Sequence, residues 1–368
     1  MKIQTLHSAQ ADLDACINDL KTQVYIESPK LMIYFASSKF SPQAVAEKMN
    51  GLFPATANFG CTTAGEIVTG KMLKNSIVAM LFSGEVIESV HIQMAENVKN
   101  SNPVPSMFAK FEKELGRPLS ELDLKKHVGL ILIDGMSAAE EKVMDTLGNM
   151  SNITFVGASA GDDCKFKSTH LFHGSQAKSD AVLLVLLKVK NGFEVLKSQS
   201  FFVSSQTLTP TKVDEATRTV YQFNDKPALE AYAEAVGTSV DQAHTFFDSN
   251  PLGLIIDGEP FVRSPQRAEG KAMVFFCQIK KGVTHQLLES KNIINATRDD
   301  LKPYLDKPGD FSGILNFNCI QRTLELDRKN QADAYGKLFK DIPTLGFSTY
   351  GEEYLGHINQ TSVMLLLR

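Results

Sequence analysis

Small and hydroxyl-bearing residues lie between glycines at three places in this 368-residue sequence. The three segments are residues 60–66 (GCTTAGE), 157–162 (GASAGD) and 346–352 (GFSTYGE). Turns of this composition expose backbone N–H groups that bind anionic or polar groups, and glycine lets a ligand approach the backbone closely. They predict a small-ligand pocket lined by Thr62, Thr63, Glu66, Ser159, Ser348, Thr349, Tyr350 and Glu352. In the alternative interpretation, the glycines only permit positive φ angles and the hydroxyls bond the turns' own backbone.

The second segment also fits G-x-S-x-G, the nucleophile elbow of α/β-hydrolases, with Ser159 as the nucleophile. That chemistry needs a helix after the turn, followed in the sequence by an acidic residue and a histidine. Asp257 and His285 are the candidates for these two roles. Residues 162–167 do not have the pattern of a helix, and the two sister segments do not share the motif. We therefore expect no enzyme, and a serine hydrolase using Ser159 stays as an alternative.

Histidine and cysteine spacing gives no sign of a multi-ligand metal site. The 8 histidines include no H-E-x-x-H, and the 5 cysteines are scattered, with no C-x-x-C. Scattered, odd-numbered cysteines are typical of a reducing cytoplasm, which is the location we predict. A single histidine can still hold a haem noncovalently in an apolar pocket. No glycine-rich nucleotide-binding motif occurs.

Around each turn the same order of elements repeats, and these elements must position the turn. A strand-like run lies about thirty residues before each turn, a helix-like segment lies between them, and another strand-like run follows. The leading runs are 31–36, 128–133 and 313–319, and the following runs are 76–82, 180–187 and 361–367. The repeated unit β–α–β–turn–β predicts an α/β (α+β) fold with mixed β-sheets flanked by helices.

Local signals place several element ends. Ser41 with Pro42, and the pair Ser137 and Glu140 as a capping box, predict helix starts; Ser239 and Gln242 predict another. Asn191-Gly192 predicts a hairpin between the runs 183–189 and 193–196. The polar segment 204–211 predicts a boundary between domains 1–205 and 206–368, and we expect the turns to converge where the two domains meet.

Composition excludes several classes of protein. Hydrophobic residues make up 43% and charged residues 22%, so most of the chain is expected to be folded. The net charge of −4 argues against general nucleic-acid binding. Apolar runs are far shorter than the roughly 20 residues of a membrane span, and the N-terminus lacks a signal core, so we expect no membrane association.

Residues 59–67 (FGCTTAGEI) resemble the signature of the FIST N-terminal domain. Residues 346–353 (GFSTYGEE), followed by 357–361 (HINQT), resemble the end of the FIST C-terminal domain. Residues 157–162, with Phe172-His173-Gly174, fit the middle of the same pattern. The resemblance spans nearly the whole chain, so the two predicted domains are FIST N-like and FIST C-like.

The resemblance implies a sensory ligand-binding module of signal transduction, with amino acids among the suggested ligands. Stand-alone members resemble nitric oxide-sensing haem proteins (NosP-type), which bind haem b and act on a histidine kinase of a two-component system or on a cyclic-di-GMP enzyme. On that basis we expect a cytoplasmic nitric oxide sensor acting in trans, with His357 as the iron ligand and His244 and His173 as further candidates. The alternative is a haem-free receptor for an amino-acid-like small molecule. In that receptor, Arg263 or Arg322 would pair with the ligand's carboxylate, and Glu66 or Glu352 would pair with its ammonium group.

Overall fold

The computed structural model describes residues 2–306 and 309–368. Helices and mixed β-sheets share the chain, which confirms the predicted α/β (α+β) class. The chain divides into two compact units that are interleaved along the sequence. The first comprises Met1–Ser198, Arg298–Gly356 and Ser362–Arg368, and the second comprises Gln199–Thr297 and His357–Thr361. The boundary between domains 1–205 and 206–368 stays a prediction.

The first repeat is longer than the predicted unit, because a strand and a helix precede it. Its elements are β1 (Ile3–Ser8), α1 (Leu13–Gln23), β2 (Leu31–Ser37), α2 (Pro42–Leu52), β3 (Ala57–Thr63), β4 (Glu66–Val68), β5 (Lys71–Leu73) and β6 (Ile77–Phe82). β2 and β3 run parallel, and β6 is antiparallel to both β2 and β1. α2 starts at Pro42 as predicted, although the Ser41 side chain makes no capping hydrogen bond.

The second repeat has the same order of elements. They are β7 (Ile87–Glu96), α3 (Val104–Leu115), a 3-10 turn (Leu119–Glu121), β8 (His127–Ile133), α4 (Glu140–Met150), β9 (Phe155–Ser159), β10 (Leu171–His173), β11 (Gln176–Lys178) and β12 (Ala181–Val189). β8 and β9 are parallel, and β12 is antiparallel to β8 and β7. The pairing therefore matches that of the first repeat strand for strand.

The third repeat starts with β13 (Phe193–Gln199) and is then interrupted by the second unit. This insertion contains β14 (Phe201–Leu208), β15 (Pro210–Asp214), β16 (Thr219–Phe223), β17 (Lys226–Pro227), α5 (Ala228–Val236), a 3-10 helix (Val240–Phe246), β18 (Leu252–Ile256), β19 (Glu259–Arg263), β20 (Pro265–Glu269), β21 (Ala272–Phe275) and β22 (His285–Ser290). Its sheets have the orders β14-β22-β18-β19 and β15-β16-β21-β20. α5 buries Tyr232 in the core of this unit.

The third repeat then resumes. Its remaining elements are α6 (Ile293–Leu305), β23 (Gly313–Cys319), α7 (Ile320–Arg328), α8 (Ala332–Gly336) with a 3-10 turn (Lys337–Phe339), β24 (Thr344–Thr349), β25 (Glu352–Tyr354) and β27 (Thr361–Leu367). The short strand β26 (His357–Ile358), between β25 and β27 in sequence, belongs to the second unit. β23 and β24 are parallel, and β27 is antiparallel to β23 and lies beside β13.

The three repeats of the first unit exchange strands in a cycle. β4 and β5 of the first repeat extend the sheet of the third through β24, and β10 and β11 of the second extend the sheet of the first through β3. β25 of the third repeat pairs with β9 of the second. Each repeat therefore completes the sheet of another. The exchanged strands β4 and β25 begin directly at the end of a glycine-rich turn, whereas β10 begins after a longer segment.

The central strands of the first unit are buried on both faces, which explains their nearly continuous apolar sequence. One face packs on the helices of the same repeat: Met32 and Tyr34 of β2 belong to the core formed with α1 and α2. The other face contacts another repeat, since the rings of Phe35 and Phe347 lie 4.5 Å apart. Burial of both faces fixes the register of these strands.

Three local predictions are wrong. Asn191-Gly192 does not close a hairpin, because β12 pairs with β7 and β8 whereas β13 lies beside β27. Ser137 and Glu140 form no capping box: α4 begins only at Glu140, and the Ser137 hydroxyl accepts the N–H of Ala139 at 3.3 Å. Ser239 caps nothing with its side chain, and a 3-10 helix follows it.

Candidate functional site

The three turns converge in the first unit, and their backbones bond one another. Ala64 N donates to Ser348 O at 3.1 Å, and Ser348 N donates back to Gly65 O at 2.7 Å. Ser159 N donates to Gly351 O at 2.9 Å, and Gly161 N donates to Thr62 O at 3.0 Å. All three turns belong to one compact unit, and they join residues of the predicted domain 1–205 to residues of the predicted domain 206–368. Whether two domains meet at the turns stays a prediction, like the boundary itself. We call the eight residues predicted to line the pocket the three-turn cluster.

The glycine that opens each turn is required by close packing of parallel strands. A Cβ atom on Gly60, Gly157 or Gly346 would lie 1.7, 1.8 or 2.0 Å from a carbonyl oxygen of the neighbouring strand. The opposing residues are Tyr34, Ile131 and Asn316, which are the register partners of these glycines. The repeated glycine therefore serves the fold, and only the residues after it are available for function.

Threonine and glutamate form the same buried pair in the first and third turns. Thr63 Oγ1 donates to Glu66 Oε1 at 2.5 Å, and Thr349 Oγ1 donates to Glu352 Oε1 at 2.5 Å. Glu66 also accepts the N–H and the hydroxyl of Ser76 at 3.0 and 2.6 Å. Burial nevertheless dominates and raises the pKa of Glu66 from 4.5 to about 7. Perturbed carboxyl groups of this kind are typical of functional sites.

The second turn departs from this pattern, because Ala160 stands where the others have threonine. Its acid, Asp162, instead accepts the N–H groups of Phe166, Lys167 and Ser168 at 2.8, 2.7 and 3.1 Å, and the hydroxyl of Tyr350. Burial acts to raise the pKa of Asp162, but these four hydrogen bonds outweigh it and the pKa is lowered. The third turn is thereby joined to the segment after Asp162.

Ser159 lies between two buried carboxylates. Its hydroxyl is 3.4 Å from Glu140 Oε1 and 3.3 Å from Glu353 Oε1. A loop follows it where a nucleophile elbow requires a helix, and Asp163, Cys164 and Phe166 in that loop have positive φ. Ser159 is fully buried, and the nominated Asp257 and His285 belong to the second unit. This geometry gives the hydrolase alternative no support.

A buried cation lies beside the third turn. Arg322 is only 2% exposed, and its Nε donates to Asn318 Oδ1 at 3.0 Å. Asn318 Nδ2 donates to Thr323 Oγ1 at 3.0 Å, and Thr323 Oγ1 is 2.8 Å from Ser348 Oγ. A continuous chain of hydrogen bonds therefore links the guanidinium to the three-turn cluster. Such a set of charges and hydroxyls suits a small ligand with both an anionic and a cationic group.

Seven members of the three-turn cluster are at most 1% exposed, and Tyr350 is half-buried. Several turn N–H groups donate to carbonyls of other turns, so they are not available to an anion. Cys61, in the first turn, is also buried, and burial raises the pKa of its thiol well above the ordinary value. The structure thus brings the predicted residues together, but a ligand reaches them only if a covering segment moves.

The three histidines proposed as iron ligands are not brought together by any described contact. His173 is half-buried in β10, where burial lowers its pKa. His357, in β26, is 4% exposed, and His244 is exposed; both belong to the second unit. Arg263, the other arginine proposed to bind a carboxylate, also belongs to the second unit and is half-buried. Among residues 2–306 and 309–368, no three His, Cys, Asp or Glu side chains are grouped to hold a metal ion.

Two cavities lie elsewhere in the first unit. One, of about 400 Å³, is lined by the end of α4, the start of β9 and Leu355; the other, of about 360 Å³, is lined by Tyr304, Phe311 and the segment before β24. Neither is lined by a histidine or by a member of the three-turn cluster. These two cavities therefore do not offer haem b the histidine ligand that the sequence predicts.

Sequence reasoning missed Glu140 and Glu353 as neighbours of Ser159. Glu140 has the signal of a helix cap, which local spacing cannot distinguish from a tertiary contact. The polar chain from Arg322 did leave a signal, since Asn316 and Asn318 interrupt an otherwise apolar strand. A buried asparagine must find a partner, so this pattern indicates a buried polar network.

Comparison with known proteins finds two matches to family models along the chain. A model described as the FIST N domain matches residues 30–226, and one described as the FIST C domain matches residues 228–354. An uncharacterised protein of Methanocaldococcus jannaschii is 21% identical over 308 residues, which cover 78% of this chain and 59% of that protein. The chain thus spans about three fifths of that relative. No helix among the described residues is long and apolar enough to cross a membrane.

Proposed function

The chain belongs to the FIST family, whose domains are sensory, ligand-binding parts of signal-transduction proteins, and we propose that it is a haem-free receptor for a small zwitterion such as an amino acid. It is a sensor without enzymatic activity. The observation that carries the proposal is the burial of Arg322 beside a cluster that also buries Glu66 and Glu352.

Each charge suits one end of a zwitterion. A guanidinium presents a planar fork of donors that matches a carboxylate, whereas Glu66 would face the ammonium. Because the pKa of Glu66 is about 7, its carboxyl carries a proton for much of the time near neutral pH. An ammonium nearby favours the ionised carboxylate. Binding should therefore release protons at pH 7, in an amount that titration calorimetry in two buffers measures.

The test is a thermal-shift and calorimetric panel of single L-amino acids, each compared with its deaminated acid and its decarboxylated amine. We expect one or more amino acids to raise the melting temperature while the matching acid and amine do not. Glu66→Gln and Arg322→Lys should weaken binding by about tenfold or more, since each removes one charge-assisted contact. Glu85→Gln, at an exposed position, is the control. Equal binding of the deaminated acid would contradict the proposal.

We propose a histidine kinase or a cyclic-di-GMP enzyme as the partner that receives the ligand signal. Its activity, measured with and without this chain and ligand, tests the pairing. The nitric oxide sensor with haem b on His357, His244 or His173 stays a prediction. This prediction is tested by the absorption spectrum of protein expressed with a supply of haem. The spectrum should show a Soret band, and nitric oxide should shift that band. The chain of hydrogen bonds from Arg322 to the three-turn cluster supports the haem-free receptor.

A further inference from the structure

The second repeat has a segment that the other two lack. After Gly65 and after Gly351, the chain enters β4 and β25 directly at the acidic residue. After Asp162, in contrast, eight residues (163–170) precede β10. We call residues 163–168 the strap. A departure from the repeat at one copy only is not needed by the shared fold, and so it calls for a specific role.

Side chains and backbone from all three repeats hold the strap. Asp162, of the second repeat, accepts three strap N–H groups together with the Tyr350 hydroxyl of the third. Asp163 Oδ2 accepts the hydroxyls of Ser37 and Ser38, of the first repeat, at 3.0 and 2.6 Å. Asp163 N also donates to Thr63 O at 2.9 Å. Two aspartates are therefore the clamps of this segment.

The strap has an unfavourable backbone that depends on these clamps. Asp163, Cys164 and Phe166 have φ of 55°, 60° and 51°, a left-handed region that residues with a Cβ atom seldom adopt. Phe166 is 54% exposed, and its ring stacks on Tyr350 at 4.9 Å. A segment with strained backbone and few buried apolar contacts opens more readily than the core strands around it.

The strap lies directly over the first turn. Asp163 is bonded to the backbone of Thr63, whose side chain bonds Glu66. Asp163 is also close enough to raise the pKa of Glu66 electrostatically, as a smaller contribution after burial. Residues 164–168 are exposed, whereas Thr63 and Glu66 are 0% exposed. The exposed strap is thus attached directly to the turn that buries Glu66.

We propose that the strap is the gate of the three-turn cluster, and that release of the Asp162 and Asp163 clamps admits the ligand to Glu66. The proposal rests on the receptor function, since it regulates access to that same site. Opening requires Phe166 to leave Tyr350 and the hydroxyls of Ser37 and Ser38 to exchange the Asp163 carboxylate for water. Opening also relieves the strain of the left-handed φ angles. This gain offsets part of the free energy lost with the hydrogen bonds, so the closed and open states differ little in free energy.

The experiment needs no ligand. Carboxyl labelling with a water-soluble carbodiimide and glycine ethyl ester, followed by mass spectrometry, reports how often Glu66 meets solvent. Limited trypsin digestion at Lys165 and Lys167 reports opening of the strap itself. We expect Asp162→Asn and Asp163→Asn each to increase both rates by about tenfold, because each weakens charge-assisted hydrogen bonds. Tyr350→Phe removes one hydrogen bond and keeps the stacked ring, so a smaller, parallel increase should follow.

The matched control is Asp123→Asn, since Asp123 is exposed and likewise accepts a loop N–H, that of Lys125 at 3.0 Å. It should change neither rate. Faster cleavage at Lys165 and Lys167 without faster labelling of Glu66 would show a mobile loop that guards nothing, and would overturn the gate. The result does not depend on the amino-acid panel, so failure of the gate and failure of the receptor function are separable.

Discussion

Gly157 shows how one residue decides whether two strands can pair. Because its Cβ would lie 1.8 Å from Ile131 O, Gly157→Ala must push β8 and β9 apart. We expect the free energy of unfolding to fall by about 3 kcal/mol or more. Gly148→Ala is the control, since nothing lies within 4 Å of a Cβ on this glycine in α4, and it should stabilise by about 0.5 kcal/mol. Urea unfolding measures both, and similar effects of the two variants would refute the close-packing argument.

Glu66 should give the protein a pH-dependent stability of its own. Its pKa is raised to about 7 in the folded protein against 4.5 in the unfolded chain, so the folded state retains a proton between these values. This contribution is complete below pH 4.5 and is lost as the pH rises through 7, at about 1.4 kcal/mol per unit. Glu66→Gln removes this dependence.

Urea unfolding between pH 4.5 and 8 checks the Glu66 prediction. The difference in stability between Glu66→Gln and the parent should shift in favour of the variant with rising pH, by about 3 kcal/mol in total. Glu85→Gln, an exposed change of the same type, should leave the slope as it is in the parent. A constant difference between Glu66→Gln and the parent would mean that Glu66 is ionised throughout this range.

At the scale of elements, periodicity predicts which segments form strands and helices but not which strands pair. The runs 31–36, 128–133 and 313–319 are all strands, because apolar residues buried on two faces leave a clear pattern. The signal at Asn191-Gly192 fails, because a residue pair that favours a tight turn does not determine the partner of the strand after it. Strand exchange among repeats also leaves no local pattern, because β4, β10 and β25 have only three residues each.

The tip after β25 carries an avoidable strain. Leu355 has φ of 55° and is 70% exposed, so an apolar side chain occupies a left-handed position and gains little burial. Leu355→Asn should stabilise the protein by about 1 kcal/mol, because asparagine adopts this region at lower cost. The same substitution at Leu324, which is 44% exposed in helix α7, should destabilise by about 0.5 kcal/mol. Chemical denaturation of the two variants tests the opposite signs.

At the scale of the molecule, strand exchange makes the first unit depend on distant parts of the sequence. The FIST N match ends at residue 226 and the FIST C match begins at 228, yet the first unit takes residues from both. β4 needs β24, and β9 needs β25, so residues before 90 and before 160 depend on partners beyond 340. Length and repeats alone indicate two related domains; they cannot show that the third repeat closes a cycle begun by the first.

A fragment of residues 1–205 should therefore not fold independently. It would expose the edges of β4 and β9, which in the whole chain are covered by β24 and β25, and unpaired edges of this kind promote association. We expect no cooperative urea transition, and aggregation in gel filtration, in contrast to the full chain. Coexpression with residues 206–368 should restore a one-to-one complex that unfolds cooperatively, because the missing strands return. A monomeric 1–205 fragment with a sharp transition would instead show that the exchanged strands are dispensable and that the predicted domain boundary is also a folding boundary.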